Sequence, residues 1–294
     1  MVPRSRPADV RFVDFVAERE AVRVRRAAGQ PPPWTDDEIL RTYRFTNIRR
    51  CYDRVSLWLR ERVYVSSAFA VPSLSAFQFA ALCRWVNWPP TLAAIMEAGL
   101  WPAEHLDLVR IGRLLDRRTR DGKTWTGAYL IRATPGGGAK GRFIAEQVVG
   151  RALRRAWPEI QFMLLTGMRR PVWRVLVDCN HWGSFMAGQV VDDLTWTPLL
   201  VAPKDDKTWA PQGPGSLRGL NGVLGLPLGT AHEELAWCEH LIRLRGMVVE
   251  RLGPGYDDMT LMDVQNQLCE ADKHNRVRLK QGRPRSLYRP ETAY

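Results

Sequence analysis

The sequence predicts an all-α protein. Three observations carry that reading. Apolar residues recur at helical rather than strand spacing through most of the chain, strand signals are weak and few, and Gly, Pro and capping residues divide the periodic segments at short intervals. No internal repeat shows, and nothing reads as an interdomain linker, so residues 1–294 are taken as a single helical domain. A two-lobed arrangement around a cleft is the variant of that reading.

In chain order, Ala8 to Ala28 reads as a basic helix. Phe12, Phe15, Val16, Arg19 and Val22 recur with helical spacing, and Arg23, Arg25 and Arg26 crowd its end. Pro31 to Pro33 break it. Thr35 with Glu38 has the form of a capping box opening DDEILRTYR, which is expected to run on through Phe45 into TNIRRCYDRVSLWLRERVY. A helix over Ser75 to Val86, capped by Ser73 or Ser75, stops at NWPP. TLAAIMEAG and AEHLDLVRIGRLLDRRTR follow as helices, then a turn, a short apolar run and a glycine loop in GKTWTGAYLIRATPGGGAKGR. FIAEQVVGRALRRAWPEIQFMLLTG, RRPVWRVLVDCN, AHEELAWCEHLIRLRGMVVERL and MTLMDVQNQLCEADKHNRVRL complete the helices, and a basic extended tail covers 280–294.

Bulk composition bounds the function. The 294 residues carry 43 Lys and Arg against 31 Asp and Glu, a net charge of +12. Such charge suits a polyanion, whose phosphates it neutralises with release of counterions; a solvated basic surface is the plain alternative. Arginine, which forks onto phosphates and stacks on bases, dominates the excess. Five scattered cysteines form no CxxC pair, so neither a zinc site nor a disulfide framework is indicated, and a reducing compartment fits. The N-terminal MVPRSRPADVRF has no apolar core, and no apolar run nears the ~18 residues of a membrane span.

Several motifs carry candidate chemistry. In YRFTNIRRCYDR, a helix would set Asn47, Arg50 and Arg54 on one face with Asp53 beside them, either a phosphate grip or a solvated charged face. GGGAKGR lacks the Ser or Thr of a nucleotide P-loop; Lys140 and its glycines are either a backbone phosphate site or a flexible turn. HWGSFMAGQVVDDL reads as a turn and a helix, with Gly183 allowing close backbone approach as in helix-hairpin-helix DNA-binding elements, and Gln189, Asp192 and Asp193 downstream. DDKTWAPQGPGSLRGLN places Asp205 and Asp206 about twenty residues past Gly183, the distance of a catalytic Asp in hairpin glycosylases. A glycine turn follows, in which Gly213, Gly215 and Gly219 look chosen for backbone access beside Arg218 and Asn221. LCEADKHNR gathers Cys269, Glu270, Asp272, Lys273 and His274 at one helical end, either a salt-bridge ladder or a tuned acid–base site.

WTDDEILRTYRFTNIRRCYDR, WTGAYLI, GPGSLRGLN and LCEADKHNR together resemble the phage α-glutamyl/putrescinyl-thymine pyrophosphorylases, the amino acid:DNA transferases. The same module resembles the helical domain found beside hydroxymethyluracil DNA kinases. The resemblance spans about residues 10–288 and implies a DNA-glycosylase-like helical fold, double-stranded DNA as partner, and work in the cytoplasm of the infected bacterial host. The implied substrate is 5-hydroxymethyl-deoxyuridine in DNA, pyrophosphorylated on its methylene oxygen, with an amino acid or polyamine displacing pyrophosphate. The chemistry asks for base extrusion, charge on the leaving group and a base for the amine. Asp205, Asp206, Asp193, Glu270 and Lys273 are the candidate catalytic residues. Arg50, Arg54, Lys140, Arg218, Gly183 and Gly215 are candidates for pyrophosphate and DNA, and Asn47, Gln189 and Asn221 for the base edge. No protein metal site is read; Mg²⁺ would suit the leaving group. A DNA glycosylase and a non-catalytic DNA-binding partner of a kinase are the competing readings.

Overall fold

In the computed structural model, which describes residues 7–128, 131, 134–282, 284 and 286–289, thirteen α-helices are found: α1 (Ala8–Ala27), α2 (Glu38–Thr42), α3 (Arg54–Arg62), α4 (Leu74–Val86), α5 (Pro89–Glu97), α6 (Leu108–Asp121), α7 (Lys140–Arg142), α8 (Ala152–Leu164), α9 (Arg169–Val177), α10 (Ser184–Leu194), α11 (Pro214–Leu224), α12 (Glu234–Leu252) and α13 (Leu261–Arg278). Among the described residues no strand forms; one isolated bridge joins Tyr43 and Leu287. Parts of WTGAYLI and of the basic tail lie outside the described residues. The chain divides into two compact units, one of Met1–Asp53 with Asp206–Ala293, the other running from Arg54 to Asp205.

Local chemistry explains several helix ends. Ser73 caps α4 by accepting from the Ala76 N–H, and Asn87 ends it in the left-handed region at φ 44°. Asp107 caps α6, so that helix opens five residues later than AEHLDLVR suggests. Thr260 and Asp263 form a capping box for α13. Asp37, not Thr35, caps α2: its Oδ1 accepts from the N–H groups of Ile39 (2.8 Å) and Leu40 (3.1 Å), while Thr35 Oγ1 accepts from Asp37 N–H.

Two expectations fail in instructive ways. The helix drawn through Phe45 stops at Thr42. Residues 43–49 are extended or irregular, and a single 3₁₀ turn covers Arg50–Tyr52. Asp53 Oδ1 accepts from both the backbone N–H (2.8 Å) and Nδ2 (3.1 Å) of Asn47, and Asn47 Nδ2 also donates to Tyr52 O (2.8 Å). These side chains offer the backbone a better local partner than a helix does. Asn47, Arg50 and Arg54 therefore do not share a helical face. Second, GPGSLRGLN is no phosphate turn but the opening of α11. A Cβ on Gly219 would lie 2.0 Å from Leu268 O, and one on Gly215 2.5 Å from Cys269 Sγ. The glycines serve the close approach of α11 to α13.

The helix expected from Phe143 begins instead with a π-helical stretch, Phe143–Arg151, before α8. Its carbonyls are taken by side chains from outside: Trp182 Nε1 donates to Val148 O (3.0 Å), and Gln78 Nε2 to Val149 O and Gly150 O (3.2 Å each). Side chains inserted into a helix ladder disturb its regular path, and these donors satisfy carbonyls within the wider turns.

Each unit has its own core. In the Arg54–Asp205 unit, α4 is buried along nearly its whole length, and the Phe79 and Trp101 rings stack at 4.1 Å. In the other, Phe12, Val13 and Val16 of α1, Leu241, Leu244 and Val248 of α12, and Leu261, Val264 and Leu268 of α13 are buried; Trp237 of α12 donates to Ala210 O (2.8 Å).

Candidate functional site

The polar residues of the first unit converge on a buried arginine. Arg19 lies on the apolar stripe of α1 yet carries a charge, and its guanidinium donates to Gln267 Oε1 and to Thr46 O. It sits 5.1 Å from the Phe15 ring centre and 5.7 Å from that of Phe45. Desolvation pulls its pKa below the usual arginine value, and the charges of Glu270, Asp53 and Glu20 act against that fall. An arginine so placed stays cationic.

Around it the structure brings together residues far apart in sequence. Gln267 Nε2 donates to Ile48 O at 2.9 Å. Glu270 Oε2 lies 2.5 Å from Lys273 Nζ, and Lys273 also donates to Arg44 O (3.0 Å) and stands 4.4 Å from the Phe45 ring centre. Asn47 and Asp53 pair as described, and Arg50 N–H donates to Asp263 Oδ1 at 3.1 Å. Desolvation raises the Asp53 carboxyl above its ordinary 3.8, with Glu270 adding to the rise and the Asn47 N–H, Arg50 and Arg19 opposing it. Thus Asn47, Arg50, Glu270 and Lys273 belong to one neighbourhood. Phe45, Asn47 and Lys273 are only partly buried, and Thr46 is exposed.

Other candidates are committed elsewhere. Arg218 pairs with Asp272 at 3.1 Å, and Asp272 also holds Arg276 at 3.0 Å. Asn221 is fully buried: Nδ2 donates to Leu228 O and Thr230 O, and Oδ1 lies 2.7 Å from His232 Nε2, so the side chain clamps the loop after α11. The Cys269 thiol is pushed up to about 11 by burial and by Glu270, which favours the protonated form at neutral pH. Asp206 O accepts the Leu261 N–H at the head of α13 (2.9 Å).

In the second unit the acids are structural. Both oxygens of Asp205, 2% exposed, accept backbone N–H bonds from Arg169 (2.8 Å) and Arg170 (2.9 Å) and so cap α9. Asp193, fully buried, receives Arg84 through Nε (2.8 Å) and Nη2 (2.6 Å) and the Tyr64 hydroxyl at 3.1 Å. Asp192 pairs with Arg169 at 3.2 Å. Gln189 is buried on α10, and Gly183 precedes that helix with nothing within 4 Å of an added Cβ. Arg54 opens α3. Lys140 stands 4.8 Å from the Trp125 ring centre, and burial lowers its pKa. The N–H beside it, on Gly141, goes to Asp116 Oδ1 at 2.6 Å, so that part of the glycine loop binds an internal carboxylate. Among the described residues no group of three His, Cys, Asp or Glu is arranged to hold a metal ion.

The family model for the 5-hmdU DNA kinase helical domain matches residues 7–283. The chain belongs to that family. A 5-hmdU DNA kinase of Bacillus phage SP10 is 43% identical to it over 56 residues, which are 19% of this chain and 9% of that protein. The chain therefore spans under a tenth of the curated relative it matches. No solved structure matches. No helix of this family member, among the described residues, is long and apolar enough to cross a membrane.

Sequence reasoning missed two parts of the family member's buried cluster. Arg19 stood in an apolar stripe as a lone charge, which was the available signal. Gln267 carried none, because a glutamine on a helix becomes a ligand for an arginine only through tertiary contact.

Proposed function

We propose that this helical module acts on DNA in phage thymine modification, as an amino acid:DNA transferase of the thymine pyrophosphorylase type. The substrate is a 5-hydroxymethyl-deoxyuridine nucleotide activated as its pyrophosphate. The amine nitrogen attacks the methylene carbon, the carbon–oxygen bond breaks, pyrophosphate leaves with the bonding pair, and the amine gives up one proton. Glu270 takes that proton, Lys273 and Arg50 steady the departing charge, and Asn47 meets the uracil edge. The single observation that supports these roles is the convergence of Asn47, Arg50, Glu270 and Lys273 near Phe45 around Arg19.

The reading keeps a glycosylase-like helical fold with a hairpin element at Gly183, where α9 and α10 pack together and the glycine has open space. It places the work in the infected host's cytoplasm. Asp205 and Asp193 are left out as bases, since each already uses both oxygens inside the fold.

That same commitment of acids favours a second reading, a non-catalytic DNA-binding module that serves a 5-hmdU DNA kinase. One experiment separates them. The chain is incubated with pyrophosphorylated DNA and a pool of amines, and the DNA is digested to nucleosides for mass analysis. An amine-bearing nucleoside, lost in Glu270→Gln, is the expected result. Salt-sensitive binding without product would leave the accessory module, and abasic sites would indicate a glycosylase.

A further inference from the structure

Helix α6 presents an arginine stripe that the proposed chemistry does not use. Its inner face is buried through Leu108, Ile111, Gly112, Leu114 and Leu115. Its outer face carries Arg110, Arg113, Arg117 and Arg120, all exposed, at steps of three, four and three residues, so they lie along one side of the helix. No hydrogen bond or ion pair engages these four guanidinium groups among the described residues. By contrast, Arg118 turns away and donates to Thr91 Oγ1 at 3.3 Å, and Arg142 pairs with Asp116 at 3.1 Å.

The support beneath the stripe is stiff. A Cβ on Gly141 would lie 2.6 Å from Asp116 Oδ1 and Leu115 Cβ, and one on Gly112 2.9 Å from Arg142 Cα, so α7 lies hard against α6. A shallow groove lined by Val109, Arg113, Arg142, Phe143, Glu146 and Gln147 runs beside it. Near the far end, Trp125 Nε1 donates to Thr119 Oγ1 of α6 at 3.1 Å, and Lys140 sits over that indole.

We infer that this face of α6 grips the phosphate backbone of duplex DNA, with Arg110, Arg113, Arg117 and Arg120 on successive phosphates and Lys140 at its edge. Ten residues of helix span about 15 Å. Over that length one strand of a duplex offers about four phosphates at ~3.4 Å of axis each, which matches the four arginines. Four exposed like charges that no ion pair engages among the described residues repel one another along the helix, and a polyanion relieves that cost. The inference rests on DNA being the substrate, but not on any step of the transfer chemistry.

The test is duplex binding by fluorescence anisotropy over a range of salt. Wild-type chain is compared with the fourfold variant R110Q/R113Q/R117Q/R120Q, its charge-preserving lysine counterpart, and a control, R25Q/R26Q/R243Q/R251Q, that removes equal charge elsewhere. Circular dichroism confirms folding, and the lysine variant covers any loss that is structural. The glutamine variant should flatten the plot of log affinity against log salt by about 3 to 4 units. The lysine variant should restore most of that slope, and the control should keep it. Unchanged affinity and slope in the glutamine variant would overturn the inference, as would a preference for single strands or RNA that depends on the same four arginines. A wild-type chain that binds no duplex would remove the DNA reading along with it. A chain that binds through α6 but makes no amine product would lose only the proposed transfer.

Discussion

Two carboxylates with opposite fates show how much a residue's surroundings decide. Asp193 is fully buried, and its fork from Arg84, itself 5% exposed as a side chain, is what makes that burial tolerable. Asp193→Asn leaves the Arg84 charge without its partner, and removing one member of a buried pair costs about 3–5 kcal/mol. Denaturant unfolding should show a loss of that order. The double change R84M/D193L should recover most of it, because it removes both charges together. Asp53 stands the other way. Its carboxyl is raised above 3.8 by desolvation and by Glu270, so the folded state is penalised once that group ionises. A raised carboxyl contributes stability below the unfolded pKa that fades as pH climbs through the folded one. Asp53→Asn keeps the oxygen that Asn47 donates to and discards the charge. Its stability relative to wild type should therefore be higher at pH 7, with the gap closing as pH falls toward 3.8. Paired melts across that range check it, and a gap that widens at low pH would contradict the assignment.

At the scale of elements, the glycines of α11 separate packing from propensity. Gly219 touches the α13 backbone, whereas Gly222, three residues on, faces open space. Gly219→Ala should force the helices apart and cost about 2 kcal/mol or more, in the upper range of overpacking. Gly222→Ala should stabilise by about 0.5–1 kcal/mol through helix propensity alone. Thermal midpoints of the two variants, moving in opposite directions, test both. These elements also show what could be read beforehand. The helical identity of α4, α6, α10, α12 and α13 was legible because apolar spacing and breakers agree there, with side-chain caps added at α4, α6 and α13. The role of GPGSLRGLN was not, since a glycine spared for helix contact and one spared for a phosphate look alike in a sequence. The break at 43–53 was hidden for a related reason: it depends on Asn47 and Asp53 closing a loop, and on Arg44 N–H and Tyr288 N–H pairing with Ser286 O and Thr42 O far along the chain.

Across the whole molecule, the arginine excess has two destinations that composition cannot distinguish. Arg19, Arg50, Arg84 and Arg169 are at most 6% exposed and belong to the interior. Arg110, Arg113, Arg117 and Arg120 face solvent. The net charge of +12 therefore points to a polyanion without saying which residues would meet it. The candidate site was legible in a similar measure. The motifs around Asn47 and Glu270 were singled out from spacing and do meet, while Asp205, chosen by its distance from a glycine, proved to be a helix cap and Asp193, an acid on the helix after that glycine, an ion-pair partner. A backbone grip and a base pocket predict different dependences on the same DNA. Contacts to the phosphate backbone carry no sequence information, so the share of the salt slope that the α6 arginines supply should be the same on duplexes with plain thymine and with the activated base. If six or more phosphates are neutralised, affinity for both should fall by about 10³-fold or more between 50 and 200 mM salt. Glu270→Gln and Lys273→Gln should leave that slope nearly unchanged for plain duplex yet abolish any preference for the activated one. Titrations on matched duplexes measure each quantity. A slope near zero would mean that the exposed arginines serve something other than a phosphate backbone, and equal affinity for the two duplexes in the wild-type chain would count against recognition of the activated base by the Asn47–Lys273 neighbourhood.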